Sequence, residues 1–346
     1  MTSSIFQRSR LWIHSAGLDL FFFSFGWLLL FAVFIAMDQS SLKSSARSFL
    51  IVSILLFSFL HRHLTFPMVY GDREIFQQRK IAYVVFPLLF LVLTLLSLKL
   101  TSLMILLVGL SVLWNIYHTL MQKIGLLRIY SRKAGYGKSW LDKSLVFSWF
   151  FFLFFYLASK PENLKLVSTL SGGAKVFQRL LMPISLFLPS LSKLVFLVAC
   201  ILLFLYLKEE WQHRSQMHWP KNLFLLSIFM LYAAFAYDIL VGYALFGFSH
   251  AIEYLAFVNV FARRKYRMRD PSSSWIAGVI RRQGLAMMIY CLSLISVFVL
   301  WRWYSLRALG IYILGSSFLH FLYDGWIWKV RNAQVGEPLA IRYQEA

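Results

Sequence analysis

The sequence predicts an all-α, polytopic integral membrane bundle of about ten transmembrane helices, and three observations predict it. Of the 346 residues, 60% are hydrophobic and only 14% are charged. The apolar residues fall in about ten runs, each near the roughly 20 residues a helix needs to cross a bilayer. No run at that depth alternates apolar and polar positions as a barrel strand does. Helices are then the remaining way to satisfy the backbone in lipid.

The first run, about 18–37, follows Arg8 and Arg10 and so superficially resembles a secretory leader. It has the length of a span, and no clear cleavage site follows, so it is read as a retained helix. The second run, about 47–68, ends in FLHRHLTFP, where Pro67 removes a helix hydrogen bond and makes a local break plausible. Runs at about 81–98, 101–121 and 144–159 complete the first half. A break from about 160 to 190 follows, with Pro161, Ser171-Gly172-Gly173 and an apolar stretch holding Lys175 and Arg179. That stretch reads as an interfacial or re-entrant helix. The remaining runs lie at about 191–208, 222–240, 243–262, 284–303 and 308–328. No linker is long or polar enough to divide the chain, so residues 1–346 are expected to form a single integral membrane domain. Cys200 and Cys291 both fall inside runs and imply neither a disulfide framework nor a zinc motif.

The net charge of +21 would suit nucleic acid, but its distribution points elsewhere. With both termini cytoplasmic and the spans alternating, the cytoplasmic segments collect roughly 24 of the 35 Lys and Arg, the bias of the positive-inside rule. The richest runs are Arg263 to Arg269 and the segment from Lys123 to Lys143. Membrane lipids, not nucleic acid, are the partners this pattern implies. The expected location is an integral one, in the bacterial inner (cytoplasmic) membrane.

Histidines mark four of the runs: His61 and His63, His118, His250 and His320. Gln122 follows His118 by four residues, Glu253 follows His250 by three, and Asp324 follows His320 by four. Such spacings share a helix face, so each of these three helices aims two polar groups in one direction. All four runs are even-numbered and descend toward the same membrane side. Ionisable groups in spans usually face a bundle interior or a cavity. Hydrogen bonding between helices is the commoner role for one such histidine. Several together suit a metal, for which imidazole is a ligand and carboxylate compensates charge. The expected ligands are His61, His63, His118, His250 and His320. Two residues apart on a continuous helix, His61 and His63 diverge by about 200°, and position alone does not choose between them. Glu253 and Asp324 would orient imidazoles or complete the ligand set, and Gln122 would hydrogen-bond to a ligand or to bound oxygen. His14, and His213 and His218 in KEEWQHRSQMHW, match no closed zinc pattern and are read as solvated. Arg73 and Arg128 are candidate partners for Asp72 or Asp324, with surface pairing the plainer reading. Asp238 could extend a polar path or lie at an interface.

At these motifs the chain resembles the membrane β-carotene dioxygenases of the bacteriorhodopsin-related-protein (Brp/Blh) family. The closest likeness is Leu319-His320-Phe321-Leu322-Tyr323-Asp324, with looser counterparts at Ser249 to Glu253 and His118 to Gln122. The likeness lies in four short windows; the family's proline–histidine–glycine segment has no match at His61, and Gln122 stands where an acid is expected. The resemblance implies non-haem iron held by histidines and oxidative cleavage of a lipophilic polyene. The HxxxH and HxxHH boxes of fatty-acid desaturases are absent. The favoured expectation is an oxygenase-like membrane oxidoreductase with an iron cofactor and a lipophilic small-molecule substrate. A membrane acyl- or glycosyl-transferase with one catalytic histidine, or a metal or proton transporter, would use the same residues differently.

Overall fold

A computed structural model describes residues 11–163, 186–267, 285–329 and 333–339. Arg8, Arg10, Ser171, Gly172, Gly173, Lys175, Arg179, Met268 and Arg269 lie outside the described residues, as does most of the expected interfacial stretch. Among the described residues there is no strand. The helices are α1 (Ala16–Phe25), α2 (Trp27–Asp38), α3 (Lys43–His63), α4 (Thr65–Tyr70), α5 (Arg73–Gln78) and α6 (Lys80–Ser97). They continue as α7 (Thr101–Ala134), α8 (Ser139–Ala158), α9 (Leu188–Gln212), α10 (Trp219–Tyr237) and α11 (Ile239–Arg267). The last three are α12 (Leu285–Tyr304), α13 (Leu306–Ile327) and the short α14 (Ala333–Gly336).

Among the described residues, seven helices are long and apolar enough to cross a membrane, or eight if α1 and α2 together count as one. This is an all-helical membrane protein by the length and composition of its helices. α12 has a shorter apolar stretch, Met288–Tyr304. α13, which carries His320, Asp324 and two adjacent serines, is not among the seven. The outward faces are those of a lipid-facing bundle: Ile81, Val84, Leu88, Leu91 and Leu95 along α6 are all exposed.

The chain forms two compact units. One comprises Met1–Phe25 and Lys123–Phe246, the other Gly26–Gln122 and Gly247–Ala346. In the first, α8 packs along α9 and α10, and α10 packs on α1. Its polar end is tied by buried ions. Glu210 accepts hydrogen bonds from Lys221 at 2.6 Å, Asn222 at 2.7 Å and Tyr136 at 2.9 Å. The Lys221 ammonium also lies over the rings of Tyr136 and Tyr206. His218 is buried rather than solvated, and its ring caps α10 by accepting from the Lys221 N–H at 3.2 Å. Glu210 and His218 are polar but buried because residues outside the loop bond to them, which residue type alone does not distinguish from hydration. Arg128 pairs with Asp142 at 2.5 Å, not with Asp72 or Asp324. Asp238 is a cap: its Oδ1 accepts from the Leu240 and Val241 N–H groups that start α11. The chain reverses sharply there. A Cβ on Gly242 would lie 2.5 Å from the Phe235 Cα, although seven residues of straight helix would separate them by about 10 Å.

In the second unit α13 is the hub, packing against α3, α4, α6 and α12. Phe59, Phe298 and Leu309 join α3, α12 and α13 on one side, and Leu107, Leu314 and Phe318 join α7 and α13 on another. Pro87 inside α6 has no N–H for the Tyr83 carbonyl one turn back. The Tyr70 hydroxyl donates to that carbonyl instead, at 2.8 Å, and accepts from the Tyr323 hydroxyl at 2.7 Å. The proline's defect thus becomes a tie among α4, α6 and α13. Asp72 caps α5 with one oxygen and receives Lys265 and Tyr266 on the other, each at 2.6 Å. Burial alone would raise this carboxyl; the Lys265 charge and these hydrogen bonds outweigh it and hold Asp72 below the ordinary carboxylate range. The partner of Asp72 is thus not the candidate Arg73 but a lysine 193 residues away.

Candidate metal centre

Four imidazoles from four helices meet inside the second unit. His61 ends α3, His118 lies on α7, His250 on α11 and His320 on α13. Their rings form a closed square. The centroid separations are 4.8 Å for His61–His250, 5.0 Å for His250–His118, 4.9 Å for His118–His320 and 4.7 Å for His320–His61. Each neighbouring pair is nearly perpendicular, at 71° to 87°. Phe321 leans on His118 with centroids 4.9 Å apart, and Trp114 packs beyond it.

Ligand atoms of His61, His250 and His320 lie within 4.8 Å of one another, as do those of His118, His320 and Asp324. Bonds of about 2.1 Å would place opposite ligands about 4.2 Å apart, so a small contraction closes either set on an ion. The fit is also chemical. His61 Nε2, His118 Nε2, His320 Nε2 and Asp324 Oδ2 are buried and have no hydrogen-bond partner. His118 Nε2 and His320 Nε2 each stand 3.7 Å from Asp324 Oδ2, too far for a hydrogen bond. Each such buried polar atom costs about 1–3 kcal/mol. A cation at their centre would satisfy all four at once.

The surroundings fix which atom of each ring faces inward. His61 Nδ1–H donates to the Phe57 carbonyl at 3.2 Å, leaving the Nε2 lone pair for the centre. Thr65 donates its one hydroxyl proton to Asp324 Oδ1 at 2.9 Å, so it accepts from His320 Nδ1–H at 2.7 Å. Tyr254 donates to the same carboxylate oxygen at 2.8 Å and accepts from the Trp328 indole at 3.1 Å. Counting hydrogens therefore leaves His320 Nε2 and Asp324 Oδ2 as the inward atoms. Behind His250, the Gln122 amide donates to the His250 carbonyl at 3.0 Å and to Glu253 Oε2 at 3.2 Å. Ser249 donates to the other Glu253 oxygen at 2.7 Å.

His61, His118, His250, His320 and Asp324 thus come together. His63 does not. It lies two residues after His61 on the same helix and so points away, with Nδ1 against the Phe59 carbonyl at 2.5 Å and Nε2 bonded to the Tyr312 hydroxyl. Glu253 and Gln122 brace His250 from behind and belong to neither ligand set. His14, His213 and His218 lie in no such group among the described residues. Thr65, Tyr254 and Trp328 were not expected. Each stands four residues beyond His61, His250 or Asp324, the same spacing that singles out Gln122 and Asp324. A reading that admitted hydroxyls and indoles as well as acids would have found them.

Compared with known proteins, the chain matches no family model, no curated protein and no solved structure.

Proposed function

We propose that this chain is an integral-membrane metalloenzyme that binds iron through His61, His118, His250 and His320 and oxidises a lipophilic substrate with dioxygen. One observation carries the reading: three imidazole nitrogens and a carboxylate oxygen converge, buried, with no protein hydrogen bond. A merely structural polar network would pair those atoms with each other. Imidazole-rich sites suit iron, copper and zinc; the motif-level likeness to the β-carotene dioxygenases favours iron. Iron, when bound, supplies the electron transfers that make dioxygen reactive.

The chain's own residues do the rest. Thr65 and Tyr254 hold Asp324, Thr65 fixes the His320 tautomer, and Gln122, itself held by Glu253, braces the His250 backbone. Phe57 and Trp114 stand one turn before His61 and His118 and provide apolar walls on the side away from these hydroxyls and acids. A lipid-soluble substrate enters laterally on that side, and the apolar walls keep bulk water from reactive species.

The topology belongs to the same proposal: ten spans, both termini cytoplasmic, in a bacterial inner membrane. Thr65, Tyr254 and Asp324 each lie one turn after a cage histidine, and the two hydroxyls both donate to Asp324. That supports parallel α3, α11 and α13. For α11 and α13 to run the same way, α12 must return across the bilayer between them.

The test is elemental analysis of purified wild-type protein beside His118→Ala, His250→Ala and His320→Ala. Equimolar iron in wild type, lost in each variant, is the expected result. Normal metal content in all three folded variants would sink the proposal.

A further inference from the structure

Arg62 sits between the two histidines that close α3, and it is buried. Its donors reach only neutral acceptors: the Ser58 carbonyl at 3.0 Å, the Ser58 hydroxyl at 2.9 Å, the Ile313 carbonyl at 3.0 Å and the Ser316 hydroxyl at 3.3 Å. Among the described residues, no carboxylate is a hydrogen-bond partner of Arg62. A buried cation without a counter-ion is expensive, and in a membrane helix it marks a functional position by default.

Its place explains what it does. Arg62 follows His61 directly, and Ser316 precedes His320 by one helical turn. The guanidinium therefore bridges α3 to α13 beside the pair of rings that stand 4.7 Å apart. Thr65 bridges the same two helices through His320 and Asp324, one turn after His61. The His61–His320 pair is thus clamped twice, by a neutral hydroxyl on one side and a fixed cation on the other. The Arg62 charge also acts electrostatically on both rings.

We propose that Arg62 is a positioning residue that holds a permanent positive charge beside the metal centre and makes a small anion its preferred exogenous ligand. This rests on the metal reading above. The imidazoles are neutral and the Asp324 carboxylate offsets one unit of a bound cation's charge, so the centre stays net positive, and in a low-dielectric site one further fixed charge changes anion affinity by about tenfold or more. The ligand class is a monoanion such as azide, a carboxylate headgroup or a reduced form of dioxygen. Four neutral hydrogen-bond acceptors hold the guanidinium's place without neutralising it.

Azide is the probe, titrated into iron-loaded protein and followed by its ligand-to-metal absorption band, with iron stoichiometry measured on the same samples. Arg62→Met is expected to keep its iron and bind azide at least about tenfold more weakly; Arg62→Lys, which keeps the charge but not the fork, stays within about threefold of wild type. Unchanged azide affinity in Arg62→Met overturns the proposal. If Arg62→Met does not fold, Arg62→Lys decides: preserved affinity supports the role of the charge, and a tenfold loss overturns it. Wild-type protein without bound metal overturns the underlying metal reading instead, and stoichiometry separates that failure from this one.

Discussion

Replacing Thr65 by Val tests whether the layer behind the cage sets metal affinity. Valine has nearly the shape of threonine, so the main loss is one hydroxyl that touches His320 Nδ1 at 2.7 Å, Tyr254 at 2.7 Å and Asp324 Oδ1 at 2.9 Å. Asp324 Oδ1 keeps its second donor, Tyr254. His320 Nδ1–H keeps nothing. In the metal-free variant the proton can move to Nε2, which costs little. Binding a cation through Nε2 forces it back to Nδ1, now facing a methyl group. The penalty of an unsatisfied buried donor, about 1–3 kcal/mol, therefore falls on binding rather than on folding. That corresponds to roughly 5- to 150-fold in the dissociation constant, in the range typical of lost ligand-supporting hydrogen bonds. Competition against a chelator of known affinity measures it, with the thermal midpoint in detergent as the control for folding. Thr65→Ser should restore binding to within about threefold. A Thr65→Val protein that folds normally and binds metal within about twofold of wild type would refute the assigned tautomer and the support role.

Three further outcomes are expected. His63→Gln should keep full metal stoichiometry, because His63 bonds to Tyr312 outside the cage; loss of metal with the fold intact would return it to the ligand set. Stability should fall as pH drops from 6.5 toward 4. Burial first, then the Lys221 charge, pushes His218 down to about 4, so the neutral ring's contribution is complete above 6.5 and is lost as the folded protein takes up its proton. Held near 4 against an ordinary 6.5, the ring contributes on the order of 3 kcal/mol, and His218→Asn, which caps without titrating, should flatten that part of a denaturation-versus-pH profile. Gly242→Ala should destabilise by about 1–3 kcal/mol in thermal unfolding, because its Cβ would meet Phe235 backbone at 2.5 Å; an unchanged midpoint would mean the turn is looser than drawn.

The helices were legible because lipid leaves the chain few options. Uninterrupted apolar runs near 20 residues have to be helical, and all ten expected runs fall largely on helices among the described residues. What the runs do not encode is pairing at the polar ends. KEEWQHRSQMHW has the composition of a wet loop, yet Glu210 and His218 are buried because Lys221, Tyr136 and Asn222 supply their partners from neighbouring elements. Likewise Asp72 finds Lys265 rather than its neighbour Arg73, and Arg128 finds Asp142 rather than Asp72 or Asp324. Such pairings are decided by tertiary distance, which periodicity does not carry.

The cage itself was more legible than its surroundings, and the reason is geometric. Each ligand histidine has a polar group one turn later: Thr65 after His61, Gln122 after His118, Tyr254 after His250 and Asp324 after His320. On a helix that offset always displaces the second group toward the C-terminal end. Two of these followers, Thr65 and Tyr254, donate to the third, Asp324, while their histidines form three corners of the square. Helices of opposite direction would have carried their followers apart, so those three helices run the same way. Thr65, Tyr254 and Asp324 accordingly lie to one side of the rings, and Phe57, Trp114 and the partners of the Arg62 guanidinium lie to the other. A site so polarised has a supporting face and a working face. Substitutions on the first should change metal affinity, and those on the second should change substrate use while leaving the metal in place.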